Sequence, residues 1–119
     1  MNNEDEVVIW GTGKPRREAM YVDDLADACI FLMQKYNSSE IINVGTDKDR
    51  TIKEIAKLIK ESVGFKGTVA FDASKPDGIR RKLLDISKIN SLGWKAKTDF
   101  EEGIKSTYSW FVNARSKGK

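Results

Sequence analysis

Two short stretches concentrate residue types suited to holding an anion. In "IWGTGKPRRE", Ile9 to Glu18, an apolar run ends in Gly-Thr-Gly and leads into Lys14, Arg16 and Arg17, with Trp10 just before the glycines. In "KPDGIRRK", Lys75 to Lys82, the cations Lys75, Arg80, Arg81 and Lys82 surround a Pro-Asp-Gly turn. A guanidinium such as that of Arg17 grips two phosphate oxygens in a fork geometry that lysine cannot match, and an indole such as Trp10 stacks or donates through its N–H. Cations on a tight turn can converge on a diphosphate, and Asp77 can accept hydrogen bonds from sugar hydroxyls. The plainer reading keeps Trp10 in the core and both loops as solvated basic turns. Composition leaves the two readings open.

Other chemistries are poorly served. The chain has no histidine, which removes the commonest general base and the usual zinc constellations, and its single cysteine, Cys29, allows no internal disulfide. No metal site is expected, and catalysis, if present, would need Tyr, Lys or carboxylates. A Tyr followed four residues later by Lys, the pair that short-chain dehydrogenases use, is absent: Tyr21, Tyr36 and Tyr108 are followed at that spacing by Leu25, Glu40 and Val112. The Gly-Thr-Gly turn is an incomplete dinucleotide fingerprint. Arg16 stands where a third glycine belongs, and a strand-like run follows where a helix is needed. No Walker pattern occurs either, so no cofactor is expected to be held by this chain.

The elements that must position these loops can be read in outline. Val7 to Trp10 and Met20 to Val22 read as short strands joined by the first basic loop. Leu25, Ala28, Cys29, Leu32 and Met33 fall at helical spacing, predicting a helix to about Lys35 capped by Asp23 or Asp24, with Cys29 packed inside. "IINVG", Ile41 to Gly45, reads as a buried strand. Thr51 and Glu54 form a capping box for a helix that stops at Gly64, and Gly67 to Asp72 is a strand. A short helix from Ile86 to Leu92 capped by Asp85 comes next, then a final helix opened by a second box, Thr98 with Glu101. The last helix carries Phe100, Ile104, Tyr108 and Phe111 as a core stripe, and the "RSKGK" end is expected to fray.

This order predicts an α/β domain of short strands covered by helices, over residues 7–112 between tails at 1–6 and 113–119. The 119 residues suffice for a modest core; 39% are apolar and 33% charged, a mixture that folds. Lys and Arg exceed Asp and Glu by 21 to 18, too small an excess for a nucleic-acid surface, and the basic loop at 75–82 lacks the interleaved aromatics that RNA requires. No window is apolar enough for a membrane span, and the acidic start "MNNEDEVV" is unlike a targeting peptide, so a cytoplasmic location is expected. With so few residues before the first strand, the chain reads as a piece of a larger protein.

The segments "WGTGKPRREAMYVDDLADA", "INVGT", "TIKEIAKLI", "VGFKGTVAFDASKPDGIRRKLLDISKINSLGW" and "FEEGIKSTYSWF" together resemble the C-terminal portion of the GDP-L-fucose synthase family, from Val7 to about Val112. "RE" before a strand and "VDD", then "NVG" and "LGW", are shared widely among extended short-chain dehydrogenases; "FDASKPDG" followed by "RKLLD" is the narrower match. The resemblance implies the substrate-binding lobe of an NADPH-dependent epimerase-reductase that converts GDP-4-keto-6-deoxy-mannose to GDP-L-fucose. NADPH and the catalytic Ser, Tyr and Lys would belong to an N-terminal Rossmann domain outside this chain, in a parent that is a homodimer. Cys29 does not match the family's catalytic cysteine. Trp10 and Arg17 match family positions that contact substrate, and Asp77 and Lys82 match positions beside the GDP moiety. Where the family has a small residue and a proline, this sequence has Ile79 and Arg80, adding a cation. The competing readings are a stand-alone α/β module binding an anionic ligand or a protein, and the lobe of another nucleotide-sugar epimerase or dehydratase.

Overall fold

The computed structural model describes residues 5–117. Strand β1 (Glu6–Trp10) pairs in parallel with β4 (Thr68–Asp72), Val8 opposite Ala70 and Trp10 opposite Asp72. A second, mixed sheet has β2 (Arg16–Glu18) at its centre, antiparallel to β3 (Asp49–Thr51) and parallel to β5 (Arg81–Lys82). Four helices complete the chain: α1 (Val22–Lys35), α2 (Ile52–Val63), α3 (Ser87–Ser91) and α4 (Phe100–Lys117). The architecture is the expected small α/β assembly of short strands and helices.

The best-defined local signals form as read. Thr51 and Glu54 make a reciprocal capping box at the start of α2, each satisfying a backbone N–H that the first helical turn leaves without a partner. Gly64 ends that helix at φ 71°, a left-handed conformation that costs glycine nothing. Helix α3 is shorter than expected, Ser87–Ser91 in place of Ile86 to Leu92, and its N-cap is Ile86 without a side-chain cap rather than Asp85, which accepts from the Ser87 amide at 2.9 Å from one residue upstream.

Several expectations are corrected. Met20 to Val22 is not a strand: the strand lies upstream at Arg16–Glu18, where β3 and β5 supply backbone partners on both sides, while Val22 opens α1. Helix α1 is flanked by Tyr21 without a side-chain cap, and Asp24 lies inside it, buried. Ile41 to Gly45 is irregular rather than a strand; no described segment pairs with it, and Ile41 is 90% exposed while Ile42 and Val44 pack on the core. The second capping box does not form, because Asp24 captures the Thr98 amide and hydroxyl at 2.9 and 3.0 Å. Helix α4 begins at Phe100, two residues after Thr98. Cys29 is exposed, since the core contacts of α1 run through Ala28, Phe31 and Leu32. In α4 the stripe is half-buried through Phe100, Ile104 and Tyr108, but Phe111 is exposed, and the helix runs on to Lys117. Of the expected frayed end, Gly118 and Lys119 lie outside the described residues, as do residues 1–4 of the expected N-terminal tail.

The core is small. Ala28, Ile86, Ile89 and Trp94 are its buried apolar residues, with Met20, Phe31, Leu32, Ile42, Val44 and Ala96 packed against them. Trp94 anchors α3 to α1 through its indole N–H, which donates to Asp27 at 2.9 Å. The accessible surface is 8978 Å² for a 13.4 kDa chain, where a compact monomer of that mass exposes roughly 6,500 Å². The radius of gyration is 17.2 Å against about 13.5 Å for a compact domain of this length. Large apolar residues are among those exposed, including Val22, Leu25, Ile30 and Met33 on α1 and Trp110 on α4.

Candidate anion-binding site

The two basic loops meet. The first leaves β1 through Gly11, whose φ of 93° is reserved in practice for glycine and whose amide donates to the Asp72 carbonyl at 2.9 Å. The turn presents Thr12 to the second loop, where Asp77 accepts the Thr12 amide at 2.8 Å on one oxygen and the Thr12 hydroxyl at 2.6 Å on the other. These bonds, the hydroxyl's first and the amide's second, hold the Asp77 carboxyl below its ordinary range by favouring its charged form. A methyl at Gly11 would lie 2.4 Å from the same carboxylate oxygen, so the close approach requires that glycine.

Beyond the turn the loops become strands and pair directly. The Arg16 amide donates to the Arg80 carbonyl at 2.8 Å, and the Arg17 guanidinium donates to the Ile79 carbonyl at 2.7 Å and to its neighbour Arg16's carbonyl at 2.7 Å. Gly78 leaves room for this, since a methyl there would sit 3.0 Å from the Arg17 Nη2.

Strand alternation then sorts the cations. Register places Arg16 beside Arg81 and Arg17 beside Lys82, and successive side chains point to opposite faces. On one face Asp49, its side chain 5% exposed, takes Arg16 at 3.0 Å and Arg81 through its other oxygen. The Arg81 bond first, and Arg16 second, hold the Asp49 carboxyl below its usual value against the opposing effect of burial. Glu18 lies on the same face as Arg16 and accepts from the amides of Thr46, Asp47 and Leu84. The other face carries Arg17 and Lys82, neither of which makes an ion pair among the described residues.

The sequence-predicted residues therefore have different roles in the geometry. Arg17 and Lys82 are neighbours on the face opposite Asp49. Trp10 is 75% exposed at the end of β1, which excludes the core reading, and Lys75 Nζ lies 5.6 Å from its ring centre. Asp77 spends both carboxylate oxygens on Thr12, so it ties the loops together. Arg81 is withdrawn by Asp49, while the exposed Arg80 makes no ion pair among the described residues. Sequence reasoning did not single out Thr12, Glu18 or Asp49. Their partners lie 28 to 66 residues away in sequence, and only the "RE" dipeptide hinted at Glu18.

The chain is similar to known nucleotide-sugar enzymes. The NAD dependent epimerase/dehydratase family matches residues 1–45. A putative GDP-L-fucose synthase 2 of Arabidopsis thaliana is 55% identical over 111 residues, 93% of this chain and 34% of that protein. The crystal structure of a GDP-6-OMe-4-keto-L-xylo-heptose reductase from C. jejuni has a TM-score of 0.85 at 44% identity, over 92% of this chain and 34% of that one. A GDP-L-fucose synthetase from Naegleria fowleri bound to NADP has a TM-score of 0.87 at 32% identity, over 93% and 36%. Over nearly its whole length the chain is similar to enzymes of the extended short-chain dehydrogenase/reductase superfamily. It spans about a third of the length of the relatives it matches.

The Gly-Thr-Gly turn of this chain does not have the geometry of a dinucleotide fingerprint. It opens into β2 rather than a helix, so no row of helical amides faces an incoming pyrophosphate, and the amides of Gly11 and Thr12 are already spent on Asp72 and Asp77. A hollow of about 320 Å³ opens elsewhere, beside β3 and the start of α4, with Lys48, Arg50, Asn90, Lys95 and Lys97 in its wall. It is lined by none of the two loops' predicted residues. The Arg17–Lys82 face, by contrast, combines close approach of backbone, a guanidinium held by two carbonyls and cations that make no ion pair among the described residues. No described helix is long and apolar enough to cross a membrane.

Proposed function

We propose that residues 7–112 form the substrate-binding lobe of an NADPH-dependent GDP-L-fucose synthase, with the diphosphate of the GDP-sugar held by Arg17 and Lys82. The observation that carries this reading is the sorting of four cations on paired strands. Arg16 and Arg81 share the Asp49 carboxylate, with Glu18 on the same face, whereas Arg17 and Lys82 stand side by side with no ion pair among the described residues. Like charges directly opposite on a sheet repel, and an anionic ligand on that face removes the cost. Trp10, exposed at the mouth of the first loop, borders the ligand; Lys75 and Arg80 add to the field, and Arg81 acts indirectly through β5.

The surplus of surface supports a missing partner. Roughly 2,500 Å² beyond that of a compact monomer matches a large obligate interface. The rest of the parent, an N-terminal Rossmann domain holding NADPH and the catalytic Ser, Tyr and Lys, covers the apolar side of α1 and the unpaired Ile41 to Gly45 segment. The parent is a cytoplasmic homodimer through that other domain, and this chain alone binds without turnover.

Calorimetric titration of the chain with GDP, GDP-fucose and UDP tests the reading. Binding of the guanine ligands with weaker UDP binding is expected, and Arg17→Ala should weaken it by about 1–3 kcal/mol. Equal affinity for UDP would transfer the chain to another nucleotide-sugar epimerase. Unchanged binding in Arg17→Ala would remove Arg17 from the site.

A further inference from the structure

The antiparallel pairing of β2 with β3 sets Arg17 directly opposite Arg50. Cross-strand partners share a face, so Arg50, Arg17 and Lys82 form one row across all three strands, on the side opposite Asp49. The guanidinium of Arg50 rests 4.9 Å from the centre of the Phe100 ring and makes no ion pair among the described residues. It stands at a boundary. On one side is the hollow of about 320 Å³, walled by Lys48, Lys95 and Lys97 together with Asp47 and Asp99; on the other is a more open one with Asp99, Glu101, Glu102 and Lys105. In the first hollow the Asn90 Oδ1 is buried without a hydrogen-bond donor.

We propose that Arg50 is a third ligand-binding cation, and that the anion site runs from Lys82 through Arg17 to Arg50 and opens there into the hollow. This rests on the diphosphate reading of Arg17 and Lys82. The acids in the first turn of α4 complement the positive end of that helix and make no ion pair with Arg50 among the described residues, nor does Glu54, which feels its charge; the contact recorded for its guanidinium is the Phe100 ring. A ring contact leaves the guanidinium N–H groups at its edge available to phosphate oxygens. The ligand class is a diphosphate ester whose further part carries hydrogen-bond donors, which Asn90 Oδ1 would accept.

Pyrophosphate titrated into the chain, followed by amide chemical shifts, is the test. Arg50→Gln should raise Kd about tenfold, as expected for a lost charge-assisted bond. Arg50→Lys, which keeps the charge but not the fork, should fall between. Lys57→Gln is the control for net charge: it lies on α2 in an exposed pair with Glu61, and screening should hold its effect under about twofold. A folded Arg50→Gln or Arg50→Lys that binds no more weakly than Lys57→Gln overturns the inference, as does wild-type chain that does not bind pyrophosphate. Loss of affinity in Arg17→Gln without loss in Arg50→Gln would sink Arg50 alone. The reverse would uphold Arg50 and remove Arg17 from the clamp.

Discussion

Substituting alanine for Gly11 should separate the two basic loops, and the structure supplies a matched control for the measurement. Gly11 has φ 93° and Gly93 has φ 101°, so alanine at either site carries a similar backbone strain of about 1–3 kcal/mol. Their surroundings differ. A methyl at Gly93 meets nothing within 4 Å, whereas one at Gly11 comes to 2.4 Å from an Asp77 carboxylate oxygen. That carboxylate cannot retreat without lengthening its bonds to Thr12, so Gly11→Ala should cost a further 1–3 kcal/mol or so, the usual scale for overpacking. Urea unfolding of both variants reads the difference, and the Thr12 amide resonance reports whether the tie to Asp77 has opened. Pyrophosphate affinity should fall in Gly11→Ala and stay unchanged in Gly93→Ala, because the Ile79 carbonyl that steadies Arg17 lies on the displaced loop. Equal destabilisation of the two variants, with Thr12 undisturbed, would refute the claim that this close approach holds the site together. The Gly11→Ala/Asp77→Ala double variant should recover part of the loss relative to additivity.

Two other outcomes are expected. Asp24→Ala removes the acceptor of three hydrogen bonds from Lys97 and Thr98, and should lower stability by about 1–3 kcal/mol, measured as a shift in urea midpoint; a change within a few tenths would show that Thr98 finds its second capping box after all. Asp77 and Asp49 both have depressed carboxyl pKa values, so their contributions are complete above the unfolded-state value and are lost as pH falls through the folded one. The gap in Tm between wild type and Asp77→Asn should therefore hold from neutrality to about pH 4 and close below it. A gap unchanged at pH 3 would show that the Thr12–Asp77 pair is not what Asp77→Asn disrupts.

The legible parts of this protein are those whose cause is local. Thr51 with Glu54 and Gly64 delimit α2 because both devices act within four residues of the helix end. The apolar runs of β1 and β4 and the two basic loops were likewise readable, and so was the resemblance to nucleotide-sugar enzymes, carried by "KPDG" and "RKLLD". What failed was decided by competition at a distance. Thr98 looked like a cap until Asp24, remote in sequence, claimed its hydroxyl, and "IINVG" looked like a strand although no described segment pairs with it. The sequence by itself determined how many cations the loops carry and where the chain must turn. Only the tertiary structure decided which of them are paired with a carboxylate, because β2 must pair with both β3 and β5 before alternation can send Arg16 and Arg81 to Asp49 and leave Arg50, Arg17 and Lys82 together on the opposite face.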